Sequence, residues 1–302
     1  MTVTTTPTSS GVVLTPKKRT FKKFFNDTGW RHLVGIAVGI YAVFPILYVL
    51  SNALSPTGTL TGSNKLFQAF SLAGFERVLS NPDKPFGAWF MNTMIIGGVV
   101  AFGTILMGGL AAYAFSRMRF SGRRVGLLSL LLIQMFPQVL AVIAIFLLLG
   151  AIGDVFPVLG LNTRTGLIMV YLGGALGVNT YLMYGFFNTV PTSIDEAARI
   201  DGAGHARIFF TIIVRLVFPI LIVVGILSFI AVTGDFVVAS VVLSEPDTKT
   251  LAVGLYEIIA NDRAADWGAF SAGAVMAALP VLILFMALQK YIISGLTAGA
   301  VK

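Results

Sequence analysis

Residues Ser193 to Pro219 read SIDEAARIDGAGHARIFFTIIVRLVFP, a charged segment set between two long apolar runs. The pattern predicts a short helix, a glycine turn and a second helix that enters a membrane. Ser193 has the chemistry of an N-cap, and Ile194 to Asp201 supply about two helical turns. Gly202 follows where a helix end favours a residue that tolerates positive φ. Helical spacing puts Ile194, Ala197 and Ala198 on one face. Two alanines there let another surface come close, and Glu196 sets a fixed negative charge beside them. Ser193-x-x-Glu196 equally has the form of a capping box, in which Glu196 is a reciprocal cap and nothing more. Periodicity alone leaves both readings open.

Composition narrows the setting. The chain has 302 residues, of which 56% are hydrophobic and 11% charged, with a mean hydropathy of +0.88. A soluble domain carries about a quarter charged residues, so most of this chain is a membrane domain. Six runs are long enough to cross a bilayer core of roughly 30 Å. They lie near residues 33–54, 86–115, 125–150, 166–190, 209–243 and 268–293. Pro45, Pro137, Pro219 and Pro280 fall within or at the start of spans, where kinks are tolerated if neighbours satisfy the freed carbonyls. The absence of cysteine rules out a disulfide framework, a thiolate metal site and a cysteine nucleophile. Two histidines, His32 and His205, give no basis for a histidine metal site, and no metal ligand set is assigned.

Charge gives the orientation. The net charge of +8 does not point to nucleic acid, because the basic residues follow the loops. With both termini inside, 15 of the 21 basic residues fall on the cytoplasmic pieces. That is the positive-inside bias, and it puts the Glu196 loop in the cytoplasm. Residues 1–30 read as a disordered arm whose basic run, Lys17 to Lys23, sits on an anionic leaflet. The first outside loop, 55–85, is long and proline-bearing. The last one, Ser244 to Trp267, is acidic around an apolar centre, Leu251 to Ile259, and exposed apolar sequence needs something to bury it.

Intramembrane chemistry is sparse. Asp235 in the fifth span is the one clear ionisable group, and such groups are costly and functional by default. A carrier driven by protons or sodium needs several, so the driving energy comes from elsewhere. No P-loop occurs, so this chain binds no ATP by that route and holds no cofactor of its own. Asn92, Gln134, Gln138, Asn179 and Thr180 lie within or near spans. Interhelical hydrogen bonding is the simplest role for each. Converging, Asp235, Asn179 and Gln134 would border a path for a neutral, hydroxyl-rich solute.

The loop resembles the cytoplasmic loop of ABC importer permeases: Glu196, Ala197, Ala198, Gly202 and Ile212 match its pattern in spacing. Its Leu-Pro pair is missing, since Val214 and Arg215 stand there. Further segments are AYAFSRMRFSG (Ala112 to Gly122), QMFPQVL (Gln134 to Leu140), GLNT (Gly160 to Thr163), GILSFIA (Gly225 to Ala231), TLAVGLYE (Thr250 to Glu257) and GLTAGAVK (Gly295 to Lys302). With these, the chain resembles the smaller permease subunit of maltose/maltodextrin importers over roughly three quarters of its length. The first 30 residues carry no such match.

The resemblance implies an all-α membrane protein of the type I ABC importer permease fold, with six transmembrane helices and both termini cytoplasmic. It divides the chain into an arm (1–30), a permease domain (31–293, with coupling loop 191–212) and a tail (294–302). It implies a bacterial plasma membrane location and a transport role without catalysis. The implied partners are a second permease of the same fold, an ATPase dimer that holds ATP and Mg, an external sugar-binding protein and the lipid. Glu196, Ala197, Ala198 and Gly202 would form the coupling helix. Gly295, Leu296, Thr297, Gly299 and Lys302 would reach the ATPase. Gly254, Leu255, Tyr256, Glu257 and Asn261 would meet the binding protein. In that family the partner permease makes most of the sugar contacts. The cargo expected is a neutral oligosaccharide, an α-glucoside such as maltose. The alternatives are an ABC permease for another solute, a stand-alone secondary carrier and a membrane scaffold.

Overall fold

The structure, a computed structural model, describes residues 28–56, 66–67, 69–260 and 265–298, with all side chains there but those of 138 and 292–298. The described residues are helical and contain no strand. The expected disorder of the N-terminal arm falls on residues 1–27, outside the described residues.

Two compact units divide at Tyr48 and Val49, inside helix α1 (Trp30–Ala53). Its 24 residues rise about 36 Å, enough to cross a bilayer core. The second unit begins with the last turn of α1 and continues with a short helix, α2 (Ala73–Ser80), which the sequence pattern did not announce. Helix α3 (Phe86–Arg117) follows, and its 32 residues rise about 48 Å, longer than the bilayer core. It lies along α9 (His205–Gly234), and the two form the centre of the unit. The last helix is α12 (Trp267–Ala298).

Two spans expected as continuous are broken. The third divides into α4 (Arg123–Gln134) and α5 (Gln138–Val155). Pro137 lies at the break, where it has no N–H to continue the ladder. The fourth divides into α6 (Arg164–Ala175) and α7 (Val178–Phe187), bent by 49°. The fifth stops early. Helix α9 ends at Gly234, Asp235 has extended backbone, and a separate helix α10 (Val237–Val242) follows. Among the described residues four helices are thus long and apolar enough to cross a membrane, or up to six spans if each bent pair counts as one.

The Gln134 side chain joins the two breaks. Its Nε2 donates to the Gly174 carbonyl at 2.5 Å, and its Oε1 accepts from the Val178 amide at 3.0 Å. One amide so satisfies two of the backbone groups that the α6–α7 break frees. Gly177 makes this possible, because a Cβ there would collide with the Gln134 carboxamide.

The loops sort into two ends. At one, Arg117 donates to the Val190 carbonyl and Arg123 to the Tyr184 hydroxyl, so the α3–α4 turn lies beside the last turn of α7 and the segment that follows it. At the other, the start of α3 holds the loop after α10. Trp89 Nε1 donates to Pro246 O at 2.7 Å, and Asn92 Nδ2 to the carbonyls of Asp247 and Lys249 at 2.8 and 2.9 Å. Asn92 therefore bonds the carbonyls of a loop and makes no interhelical hydrogen bond of the kind expected for it.

Candidate functional site

The charged loop folds as α8 (Thr192–Ile200), a turn, and the start of α9. Pro191 is the N-cap residue, and no side chain caps this end, so the expected Ser193 cap and the Ser193–Glu196 capping box are absent. The C-terminal end follows the sequence. Gly202 has φ +81°, its amide bonds the Arg199 carbonyl at 2.9 Å, and the Ala203 amide bonds that of Ala198 at 2.9 Å. This pair of bonds is the Schellman closure, which favours glycine at the left-handed position.

Helix α8 has two unlike faces. Ala198 is buried in a cluster with Tyr113, Phe187, Ile208 and Phe209, and Ile194 packs on the same cluster. Ala197 does not join them: it is exposed beside Glu196, and Ile200 further along is 87% exposed. The predicted grouping of Ala197 with Ala198 is therefore wrong. At about 100° per residue, positions i and i+4 share a face, which pairs Glu196 with Ile200 outward and Ile194 with Ala198 inward.

The inward face also carries a charge. Asp195 Oδ2 lies 2.7 Å from Arg117 Nε, and both side chains are only 4% exposed. The Arg117 guanidinium also reaches Val190 O at 2.7 Å. Tyr113 meets His205 Nδ1 at 3.3 Å one turn earlier on α3. The small helix is therefore fastened to α3 and to the base of α9. The missing Leu-Pro does not interrupt α9: the chain passes through a π-helical stretch, Ile208–Ile213, and runs on through Val214 and Arg215. Sequence reasoning passed over Asp195 in favour of Glu196. The available signal was its position three residues before Ala198, with an arginine closing a span far upstream.

Gln134, Asn179 and Asp235 border one cavity of about 510 Å³, together with Thr104, Tyr171, Ser228 and apolar side chains of α3, α5, α6 and α9. Each is first of all a structural ligand. Asn179 Nδ2 donates to Ala175 O at 3.2 Å, beside the bonds made by Gln134. Asp235 Oδ1 accepts from the Tyr171 hydroxyl at 2.9 Å and from the amides of Val238 and Ala239 at 3.0 and 3.1 Å. The carboxylate lies beyond the end of the fifth span and holds the first turn of α10. Gln138 falls outside the described side chains.

The apolar centre of the loop from Ser244 to Trp267 is not exposed. Leu251–Ile259 is helix α11, with Leu251, Val253, Gly254, Leu255 and Ile258 buried. Gly254 sits against the Trp89 ring, which a Cβ would strike. The burial partner that the sequence called for is the chain itself. Tyr256 is 50% exposed, Glu257 pairs with Lys249 at 2.5 Å, and Asn261 lies outside the described residues. Of the tail, Gly295, Leu296 and Thr297 belong to α12 and are not a separate strand of chain, while Gly299 and Lys302 lie outside the described residues.

Residues 104–297 match the family described as binding-protein-dependent transport system inner membrane component. The chain belongs to that family. Across 281 residues, 90% of this chain and 94% of the relative, the permease is 37% identical to the maltose/maltodextrin transport system permease protein MalG of Escherichia coli strain K12. Its fold is similar to a chain in the crystal structure of a bacterial ABC transporter that imports the acidic polysaccharide alginate. The TM-score is 0.74 at 24% identity, covering 89% of this chain and 97% of that one. A second crystal structure holds the alginate transporter with its pentasaccharide-bound periplasmic protein. It scores 0.66 at 13% identity over 90% of this chain and 96% of that one. The permease is a multi-pass component of the inner membrane.

Proposed function

We propose that this chain is a transmembrane subunit of an ATP-driven importer for a neutral oligosaccharide, with maltose, maltodextrins or a related α-glucoside as cargo. The observation that carries the reading is the two-faced helix α8. Its Asp195 and Ala198 side is buried on α3 and α9, while Glu196, Ala197 and Ile200 stand free. A rod fixed to the spans on one side and open on the other suits a separate motor that grips the open side. The 37% identity to a maltose/maltodextrin permease over 90% of the chain supports the cargo.

In this reading each bent helix pair is one span, which makes six, and both termini are cytoplasmic. The basic α3–α4 turn and the α8 loop face the cytoplasm, in keeping with the positive-inside bias. An ATPase dimer holds ATP and Mg and receives Glu196, Ala197 and Gly202, with Ala198 bracing the helix from behind. The end of the chain, Gly295 to Lys302, approaches the same ATPase. A second permease completes the pathway that Asp235, Asn179 and Gln134 border. An external sugar-binding protein docks where Tyr256 emerges. Transport follows when ATP binding closes the ATPases and moves α8 with the spans it is fastened to. Such coupling needs two sites, two global states and contacts that differ between them. Glu196→Lys should abolish sugar uptake in cells while the protein remains in the membrane fraction at wild-type amounts. Normal uptake by that variant would remove the coupling assignment.

A further inference from the structure

We propose that the α3–α4 turn is a binding site for an anionic phospholipid of the cytoplasmic leaflet, with Arg119, Arg123 and Arg124 on its phosphate and the outer stripe of α4 along its acyl chain. The inference rests on the orientation in the reading above, which puts this turn in the cytoplasm. It goes beyond that reading by giving the turn a ligand.

Three observations carry it. First, residues 119–125 line a hollow of about 610 Å³, within the ~300–1,000 Å³ of small-molecule sites. Among the described residues Arg119, Arg123 and Arg124 have no ion pair, and the sequence holds no acid between Asp83 and Asp154. Guanidinium groups gathered in this way repel one another. A phosphate relieves the repulsion and takes paired N–H bonds from the planar forks. Ser121 adds a hydroxyl donor to the same lining. Second, Arg123 is held in place. Its guanidinium donates to the Tyr184 hydroxyl at 3.4 Å and lies 5.9 Å from the centre of that ring, so less ordering is left to do on binding. Third, Val125 borders the hollow and begins an apolar stripe. Val125, Leu128 and Leu132 are all exposed and share one face by helical spacing.

The stripe decides the class of ligand. The 12 residues of α4 rise about 18 Å, close to one leaflet of a bilayer core of roughly 30 Å. A cationic hollow that opens onto an apolar strip of that depth matches a headgroup and its acyl chain. A free phosphate or an acidic protein face leaves the strip unused. A zwitterionic headgroup brings its own cation to three arginines, whereas a phosphodiester with an uncharged head group does not. Arg117, which pairs with Asp195, closes α3 two residues before Arg119, so the site adjoins the fastening of α8.

The test uses the whole importer, purified and placed in vesicles of phosphatidylethanolamine mixed with either phosphatidylglycerol or phosphatidylcholine. Each mixture carries a tracer of its second lipid with a photoreactive acyl chain. Label on residues 119–134 is read by mass spectrometry. Phosphatidylglycerol should label this segment well above phosphatidylcholine. Arg119→Gln and Arg124→Gln, both at exposed positions, should each weaken the labelling about fivefold, and together about twenty-five-fold. The yield of folded complex and the label on α12 should not change. Equal labelling by the two lipids, or wild-type labelling in the double variant, overturns the site. Label displaced by inorganic phosphate, but not by chloride of equal ionic strength, overturns the lipid in favour of a free anion. A cross-link from Ser121→Cys to the ATPase overturns it in favour of an acidic protein face. Reaction of that cysteine with an impermeant thiol reagent from outside overturns the orientation on which the site rests. Headgroup-selective label in a complex that takes up no sugar supports the site and removes the transport reading alone.

Discussion

Removing the carboxylate of Asp195 is the sharpest perturbation of the coupling loop. Asp195→Ala leaves the Arg117 guanidinium buried at the end of α3 without the carboxylate it is paired with. Both partners are 4% exposed, so water does not compensate. Breaking a buried pair from one side costs about 3–5 kcal/mol. The bond from Arg117 to Val190 O remains, so the lower end, about 3 kcal/mol, applies. At 1.4 kcal/mol per factor of ten, that loss shifts the balance between seated and unseated α8 about a hundredfold. The assay has two parts. Hydrogen exchange at the amides of residues 196–201 should accelerate by about that factor relative to α3. In the reconstituted importer, the ATPase should keep turning over while uptake falls, since the rod still meets the motor but no longer carries the spans. A double variant, Arg117→Met with Asp195→Leu, should restore both, because replacing a buried pair by apolar groups is often neutral. Unchanged exchange and normal uptake in Asp195→Ala would refute the claim that this pair fastens α8.

Three further outcomes follow from the same geometry. Gly202→Val forces a β-branched residue to φ +81° and should destabilise the turn by about 1–2 kcal/mol, read as faster proteolysis at 200–205 in inverted vesicles. Gln134→Leu strips the Gly174 carbonyl and the Val178 amide of their partner. It should lower the thermal midpoint of the purified complex, with a cost of about 0.5–1.5 kcal/mol for each hydrogen bond lost at this exposed site, and a midpoint equal to wild type would count against the stitched break. Gly254→Val drives a side chain into the Trp89 ring. It should reduce folded protein in the membrane by the cost of overpacking, about 1–3 kcal/mol, whereas Tyr256→Ala, on the exposed side, should leave the amount unchanged.

Much of this architecture is written in local patterns. Hydropathy marks the long helices, because a run such as Phe86 to Phe115 must be buried in lipid or protein. The turn at Gly202 is legible because few other residues accept its backbone angle. The broken spans are not legible: apolar composition runs through residues 135–137 and 176–177 without change, and only Pro137 hints at an interruption. What stabilises the α6–α7 break is a glutamine from another helix bonding to backbone, and backbone leaves no mark in a sequence. The same limit explains Asp195. Its partner is 78 positions away at Arg117, so two adjacent acids look alike until the fold turns one inward. It also explains α11, whose nine apolar-rich residues looked like an exposed patch because Trp89, which covers Gly254, lies far upstream. In the sequence Asp235 stands inside an apolar run and reads as part of a span. Its three hydrogen bonds show it instead ending one helix and starting the next.

The central claim is that α8 offers its Glu196 side to a separate ATPase inside the cell. The chain contains no cysteine, so Ile200→Cys gives a single reporter on a residue that is 87% exposed. Cross-linking from that position in membranes carrying the whole importer measures the contact directly. The account predicts a covalent product with the ATPase subunit, whose yield changes when ATP is added, and no labelling by an impermeant thiol reagent applied from outside. Labelling from outside, or no ATPase product under any nucleotide condition, would contradict it.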